Sequence, residues 1–417
     1  MRKLNFSAWL KITKDLWVLD TVKNGYQIEF NVFPQGSSFM NEIQFCKQKT
    51  EIVSTEIDKL LMKGAIKEVD SVEDQFISNL FLVPKKDGSF RPVINLKKLN
   101  LFVEYHHFKQ ENLSFVLDII QKNDYLTSID LTDAYFSISI NNEFKKFLHF
   151  SWKGTIYEFQ FLCFGLASAP RVFTKVLKPV FAFFRKIGIR CIYYIDDSLN
   201  INQHFDICAQ NTETMVQKLD DLGFRINFKK SVLIPCRRIV FFGLIIDTVV
   251  FKKILTEEKI DKIISLGKFI LQQISITIRC LASFIGLVVH AFYAVTFGPL
   301  YYRGLERNKI SALNFNNGDF DSETNISLES ENEITWWIVN LKSVNGKLIR
   351  PNSIDCWIET DASLEGWGSK FNENLTGGRW NDEERSHHIN YLELLSIFCS
   401  LKIFFQSTKV TAYRCAF

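Results

Sequence analysis

CIYYIDDSLNI, residues 191–201, is the stretch on which the reading of this chain turns. Apolar residues alternate on either side of Asp196 and Asp197, which predicts two short strands joined by a tight turn with both acids at its tip. Carboxylates held that close repel each other, and a divalent cation is the usual remedy. Oxygen donors of this hardness select magnesium or manganese over zinc. An isolated Asp-Asp is more often a solvated hairpin turn, so the weight of this pair comes from its neighbours.

Outward from it, LTSIDLTDAYFSISI (126–140) alternates Leu126, Ser128 and Asp130 with Thr127, Ile129 and Leu131. Asp130 therefore falls at the end of a buried strand, where a charge needs a ligand or a partner. Three carboxylates on neighbouring strands can bind two metal ions about 4 Å apart, which activates an attacking oxygen and stabilises a leaving one in phosphoryl transfer. In FGLASAP (164–170), Gly165 allows close backbone approach, Ala167, Ser168 and Ala169 keep a surface flat, and Pro170 can open a helix. FLVPKKDGSFRPVINLKKLN (81–100) reads as two apolar strands around a turn, with Lys85, Lys86 and Arg91 near the tip as candidates for phosphate oxygens. Taken alone, that ribbon is more simply a solvated hairpin.

The segment carrying Asp130, Asp133, Ala134, Tyr135 and Phe136, then FGLASAP, then YIDD (194–197), resembles the polymerase motifs of reverse transcriptases in order and approximate spacing. Its flanks resemble the DIRS-type retrotransposons more than retroviruses. The resemblance implies an α+β fold shaped as a right hand, with fingers, a palm built on an antiparallel sheet and a helical thumb, followed by a partial ribonuclease H-like α/β segment. The implied boundaries are a lead-in at 1–50, fingers and palm at 51–255, thumb at 256–305, a linker or connection at 306–350 and the ribonuclease H-like segment at 351–417. The implied activity is RNA-directed DNA polymerisation, with Asp130, Asp196 and Asp197 binding two Mg2+ (or Mn2+) ions. An RNA template, a DNA primer and deoxynucleoside triphosphates are the implied partners.

Nucleotide-binding roles carry over residue by residue. Arg91, with Lys85 or Lys86, would meet the incoming triphosphate, and Asp133 would lie near it as a binding residue rather than a metal ligand. Tyr135 would sit under the sugar and leave no room for a 2′-hydroxyl. Phe164 and Gly165 belong to the floor under the base, and Phe164 stands where retroviral enzymes have Gln. Lys230, in GFRINFKKSVLIP (223–235), matches a lysine near the β- and γ-phosphates, and IVFFGLIID (239–247) resembles the primer-grip hairpin.

CWIETDAS (356–363), with Asp361 at a strand end, and INYLELLSIFCSLKIFF (389–405), with Glu393 in the first turns of a helix, resemble the beginning of a ribonuclease H domain. No Asp or Glu follows Glu393, so the expectation is an incomplete ligand set, an inactive segment and an exposed sheet edge.

The outer bounds agree. At 417 residues, 47% hydrophobic with 39 Phe, the chain can bury a substantial core in two or three domains and is no disordered tail. A net charge of +4 excludes an overall basic field, so nucleic acid must be met by local clusters of Lys and Arg. Nine Cys with no C-x-x-C pair read as reduced intracellular thiols, with cytoplasm and nucleus both open. No signal peptide is recognisable at the start. Residues 280–302 carry no formal charge, yet Ser283, His290 and the Gly298-Pro299 break read as a thumb helix, so no membrane partner is expected. Oligomeric state is not legible. Residues 9–30 read as a short helix followed by a strand, 51–63, 209–223, 256–273 and 279–294 as helices, and the polar run 308–333 as a linker. The alternative function is a decayed or co-opted element fragment that binds nucleic acid without polymerising. The short ribonuclease H-like end favours it, as does the lack of any protease, integrase or recombinase signal.

Overall fold

Leu126, Leu199 and Ile201 alternate along their strands with Thr127, Ser198 and Asn200, and this alternation gives the central sheet two different faces. The computed structural model describes residues 2–36, 45–84, 90–350 and 356–405, with contacts dividing the chain into Met1–Arg350 and Pro351–Phe417. Within the first unit, the strands Val232–Cys236, Tyr125–Asp130, Asp197–Asn202 and Arg190–Tyr194 lie in that spatial order, all antiparallel. One face packs on the helices Ala169–Lys186 and Phe205–Asp221. There the Thr127 and Thr212 hydroxyls are 2.7 Å apart, the Asn200 amide donates to the Cys208 carbonyl at 2.9 Å, and Tyr193 stacks on Phe181 at 4.4 Å. The opposite face, carrying Leu126, Ile192, Leu199 and Ile201, joins a second core with Ile239, Phe241 and Phe284.

Pro170 sits in the first turn of the Ala169–Lys186 helix, where its missing N–H costs nothing. That helix buries Val172, Phe173, Val176, Leu177, Val180, Phe181 and Phe184, the continuous apolar stripe that a helix between core layers requires. A second sheet runs Ile66–Val69, Thr155–Phe159, His149–Trp152 and Ile77–Ser78. The strands Leu80–Pro84 and Phe90–Ile94 pair as the expected antiparallel ribbon.

The second sheet holds a buried polar network. His149 lies 3.0 Å from both Gln75 and Glu158, and Gln160 and Lys67 reach the same carboxylate at 2.9 and 3.1 Å. Burial works to raise the Glu158 carboxyl, but the bonds from His149, Gln160 and Lys67 outweigh it and bring the pKa down to about 2. An unfolded Glu titrates near 4.3, so this stabilisation is present above that value and is lost as pH falls toward 2. Glu158→Gln is therefore expected to lower stability by about 2–3 kcal/mol at pH 7. The gap from wild type should close between about pH 4.5 and 2, read as urea midpoints across pH.

Two expectations from sequence are corrected. Residues 9–30 contain no strand: the structure has helices at Phe6–Trp9 and Leu16–Asn24, and only isolated bridges join Tyr26 to Ile140 and Phe30 to Val103. Trp9 is fully buried, its indole N–H donating to the Leu222 carbonyl at 3.1 Å, so the aromatic pattern reflects docking on a core. The run 308–333 is not a linker either. It contains most of the helix Arg303–Phe315 and the start of Leu328–Val344, whose Ile334, Trp337 and Leu341 pack in the second core. The buried Glu333 carboxylate accepts from the N–H groups of Gly304 and Leu305, at 2.9 Å each. It caps a helix N-terminus, a partnership made by folding and invisible in composition.

The helices Glu257–Gln272 and Ile278–Ala291 stand where the thumb pair was expected, each with a Thr side chain capping its start. Among the described residues no helix is long and apolar enough to cross a membrane. The second unit is a three-stranded antiparallel sheet, Ile358–Ala362, Gly366–Phe371 and Asn374–Arg379, packed on the helix Ile389–Phe404.

Candidate active site

Tyr194 pairs with Asp197 across a two-residue turn, and Asp197 in turn pairs with Asp130 on the neighbouring strand. Directly opposed residues of an antiparallel ladder have Cα atoms about 4.5–5.5 Å apart and point their side chains to the same face. The Leu131 N–H donates to the Asp196 carbonyl at 2.9 Å, which ties the end of one strand to the turn of the next. Sequence alternation placed each acid at a strand end; only the register brings the two ends together. The turn stores strain. Ile195 has φ of +52°, a region that a β-branched side chain enters at a cost on the order of 1–3 kcal/mol.

A loop at 225–231 braces the acid strand. The Asn227 N–H donates to the Asp130 carbonyl at 2.8 Å, the Asp130 N–H donates to the Ser231 hydroxyl at 3.0 Å, and that hydroxyl donates to the Asn227 carbonyl at 2.8 Å. From the same loop Lys230 brings its ammonium to 4.0 Å from an Asp130 oxygen.

The electrostatics are those of crowded acids. Burial raises the Asp130 carboxyl, Lys230 and Asn227 pull it back, and Asp196 adds to the rise. Asp197 is pushed up to about 6, first by lost hydration and then by Asp196 and Asp130, with Lys230 opposing. Its side chain nevertheless remains open to solvent, so the crowding acts at a mouth that an ion can enter. Hard oxygen donors with unrelieved mutual repulsion match what a divalent cation requires. Among the described residues no group of three His, Cys, Asp or Glu side chains already stands in metal-holding geometry, so binding would have to draw the carboxylates together.

Beside the acids lies an aromatic floor. Tyr135 is buried with its ring 5.0 Å from Phe164 and 5.5 Å from Phe173. Its hydroxyl is pushed up to about 12, by burial first and then by Asp196 and Tyr194. Phe164 is 41% exposed, so it covers Tyr135 while facing outward. Gly165 has φ of +102°, and a Cβ there would meet the Ile94 carbonyl oxygen at 2.8 Å, so the expected close backbone approach is present. Asn100 holds this loop from the side, donating to the Gly165 carbonyl at 2.8 Å and accepting from the Ala167 N–H at 2.9 Å. Asp133, at φ of +51°, is ion-paired with Lys63 at 2.8 Å.

Lys85 and Lys86 lie outside the described residues. Arg91 pairs with Val83 in the ribbon, and its side chain also lies outside what is described. Asn100, Asn227, Ser231 and Lys63 escaped the sequence reading because single polar side chains that act on backbone or on a residue far along the chain leave no periodic signal. The strands Arg238–Phe241 and Leu244–Asp247 form the hairpin expected at 239–247. Its turn residues Phe242 and Gly243 both have positive φ, the mark of a type I′ turn, and the Phe242 ring lies 4.8 Å from Tyr194. In the second unit, Asp361 is exposed opposite Gly368, and Glu393 is half-buried on the helix that packs against that strand.

With this geometry in view, residues 83–246 match the family described as Reverse transcriptase (RNA-dependent DNA polymerase). The chain is similar to the Retrovirus-related Pol polyprotein from transposon opus of Drosophila melanogaster, 27% identical over 199 residues, 46% of this chain and 19% of that protein. It is also similar to the Enzymatic polyprotein of Soybean chlorotic mottle virus, 28% identical over 233 residues, 53% of this chain and 32% of that one. The chain thus spans about a fifth to a third of the length of these relatives. Among solved structures it is similar to a foamy viral protease-reverse transcriptase in complex with dsDNA, with TM-score 0.62 and 18% identity over 94% of this chain and 84% of that one. It is likewise similar to the dRH form of that protein in complex with ds DNA, with TM-score 0.63 and 18% identity over 91% and 66%. At such identity the likeness establishes the fold, the mixed α+β polymerase fold expected from the sequence.

Proposed function

We propose that the reverse-transcriptase domain carried by residues 83–246 extends a DNA primer on an RNA or DNA template, using deoxynucleoside triphosphates. The observation that supports this most is the pairing of Asp130 with Asp197, at the ends of the two central strands, with Asp196 in the adjoining turn. By donor chemistry Asp130, Asp196 and Asp197 would hold two Mg2+ or Mn2+ ions once drawn closer together, and such ions would supply Lewis acidity to the transfer.

The chain's own groups then have distinct parts. The primer 3′-hydroxyl gives its proton to solvent and its oxygen attacks the α-phosphorus in line; a new O–P bond forms, the bond to the bridging oxygen breaks, and pyrophosphate leaves. Asp130, Asp196 and Asp197 fix the position of that exchange. Lys230 sits beside Asp130, where its ammonium can neutralise or protonate the departing pyrophosphate. Arg91, with Lys85 or Lys86, would hold the triphosphate from the ribbon, and Asp133 would border it. The hairpin tip at Phe242 would steer the primer end toward the acids. The flanks keep the DIRS-type resemblance as a subfamily reading. Residues 351–417 are read as ribonuclease H-like, with Asp361 and Glu393 as two of the acids that would hold metal there.

The test is an oligo(dT)-primed RNA incubated with the full chain, magnesium and deoxynucleotides. Extension is expected; retardation of the primed template without extension would replace polymerisation by binding alone. Tyr135 gives a sharper check. By the resemblance its ring would lie under the sugar and leave no room for a 2′-hydroxyl, so Tyr135→Val should reduce discrimination against ribonucleotides by roughly 10–200-fold, the range for a steric difference of that size. Single-nucleotide kcat/KM ratios read it, and an unchanged ratio would remove Tyr135 from the sugar.

A further inference from the structure

We infer that His290, held by Lys259, is a positioning residue that links the thumb helices to the acid-bearing turn through the backbone of Phe242. The three groups come from three elements. Lys259 is on the helix Glu257–Gln272, His290 is in the last turn of Ile278–Ala291, and Phe242 is in the turn between Arg238–Phe241 and Leu244–Asp247. His290 Nε2 lies 3.1 Å from the Phe242 carbonyl oxygen. The Lys259 ammonium lies 3.2 Å from His290 Nδ1 and 3.0 Å from Nε2.

Donor logic fixes the tautomer. A carbonyl can only accept, so the bond to Phe242 needs the hydrogen on Nε2, while the Lys259 ammonium, close to both ring nitrogens, lies against the imidazole. Burial and then Lys259 hold the imidazole below its ordinary pKa, in keeping with a neutral ring between a cation and a carbonyl. The same lysine packs over Gly243, where an added Cβ would run into its ammonium, so the turn and the thumb fit each other at this point.

From Phe242 the link continues by side chain. Its ring meets Tyr194 at 4.8 Å, edge to face, and Tyr194 is the residue paired with Asp197. Thumb, hairpin tip and acids are thus joined by one carbonyl and one ring. That carbonyl belongs to a residue at φ of +51°, a conformation that side chains tolerate poorly and that the histidine bond helps to hold. The consequence for catalysis rests on the polymerase reading above. A tip free to tilt would misplace the primer end without changing how tightly duplex or nucleotide binds.

The experiment compares His290→Leu with His290→Gln in the full chain. Gln keeps an N–H donor at the reach of Nε2, and Leu keeps only volume. For His290→Leu, kcat for single-nucleotide extension should fall about 10–100-fold, the scale of a misplacement near 1 Å, while nucleotide KM and duplex Kd stay within about 2-fold. His290→Gln should recover most of that loss. Amide hydrogen exchange is measured beside the kinetics: faster exchange at 242–244 and 194–197 is expected in the Leu variant and not in the Gln variant. Equal behaviour of the two variants in exchange, or a loss confined to KM, duplex Kd or melting temperature with no recovery by Gln, would overturn the link. If the wild-type chain extends no primer, the polymerase reading fails, and exchange alone decides whether the thumb restrains the turn.

Discussion

Asp196→Asn should lower primer extension by at least about 10³-fold while leaving retardation of a primed template unchanged, because it removes an oxygen ligand and a negative charge together. The amide is nearly the same size as the carboxylate, so packing is not what fails. The same change should not destabilise the metal-free protein. Asp196 presses on both Asp197 and Asp130, and removing its charge relieves both. The melting temperature in EDTA should therefore hold or rise as activity collapses, the pattern of a site whose arrangement opposes stability. Asp197 is exposed, so solvent screening keeps the gain small. A melting temperature that falls in step with activity would mean that Asp196 supports the fold, and the case for a catalytic carboxylate would fail.

The second large effect belongs to a residue outside the site. Asp124 is fully buried at the start of the acid strand and accepts two bonds from Arg190, at 2.7 and 3.2 Å, besides the Gln121 N–H at 2.7 Å and the Gln203 amide. Its carbonyl accepts from the Thr248 hydroxyl at 2.7 Å. Asp124→Ala leaves the Gln121 N–H without its acceptor and the partly exposed Arg190 guanidinium with only the Ile119 carbonyl. The expected loss is about 3–5 kcal/mol, a large part of the roughly 5–15 kcal/mol that usually holds a domain together. Urea midpoints check it. Because breaking such a pair costs more than replacing it, Asp124→Leu combined with Arg190→Met should recover much of what the single change loses. A single-mutant loss below about 1 kcal/mol would mark the pair as a surface-like contact.

The legible parts of the chain share a local cause. Strands around the acid turn were readable because side chains alternate between two unlike faces, and the helix from Ala169 because Pro170 marks its first turn. Thr256 announced the next helix by capping it. Residues 9–30 misled because Trp, Tyr and Ile favour strands on average, whereas here Trp9 is consumed in packing and a single hydrogen bond at 213 residues' separation. The 308–333 run misled because a helix that buries one stripe exposes polar residues on its other faces. Asp130 and Asp197 are opposed in register with Asp196 in the adjoining turn, and Asp133 is engaged by Lys63.

The sequence by itself determined which residues lie at strand ends and turn tips, which helices begin where, and the ordered motifs that resemble a polymerase, since these depend on side-chain period and on chemistry within a few positions. Only the tertiary structure decided that Asp130 lies opposite Asp197, that Arg190 answers Asp124, and that His290 reaches the Phe242 carbonyl. Those pairings depend on register and on helix docking, which are set by the packing of whole faces against one another and leave no mark in any single window of residues.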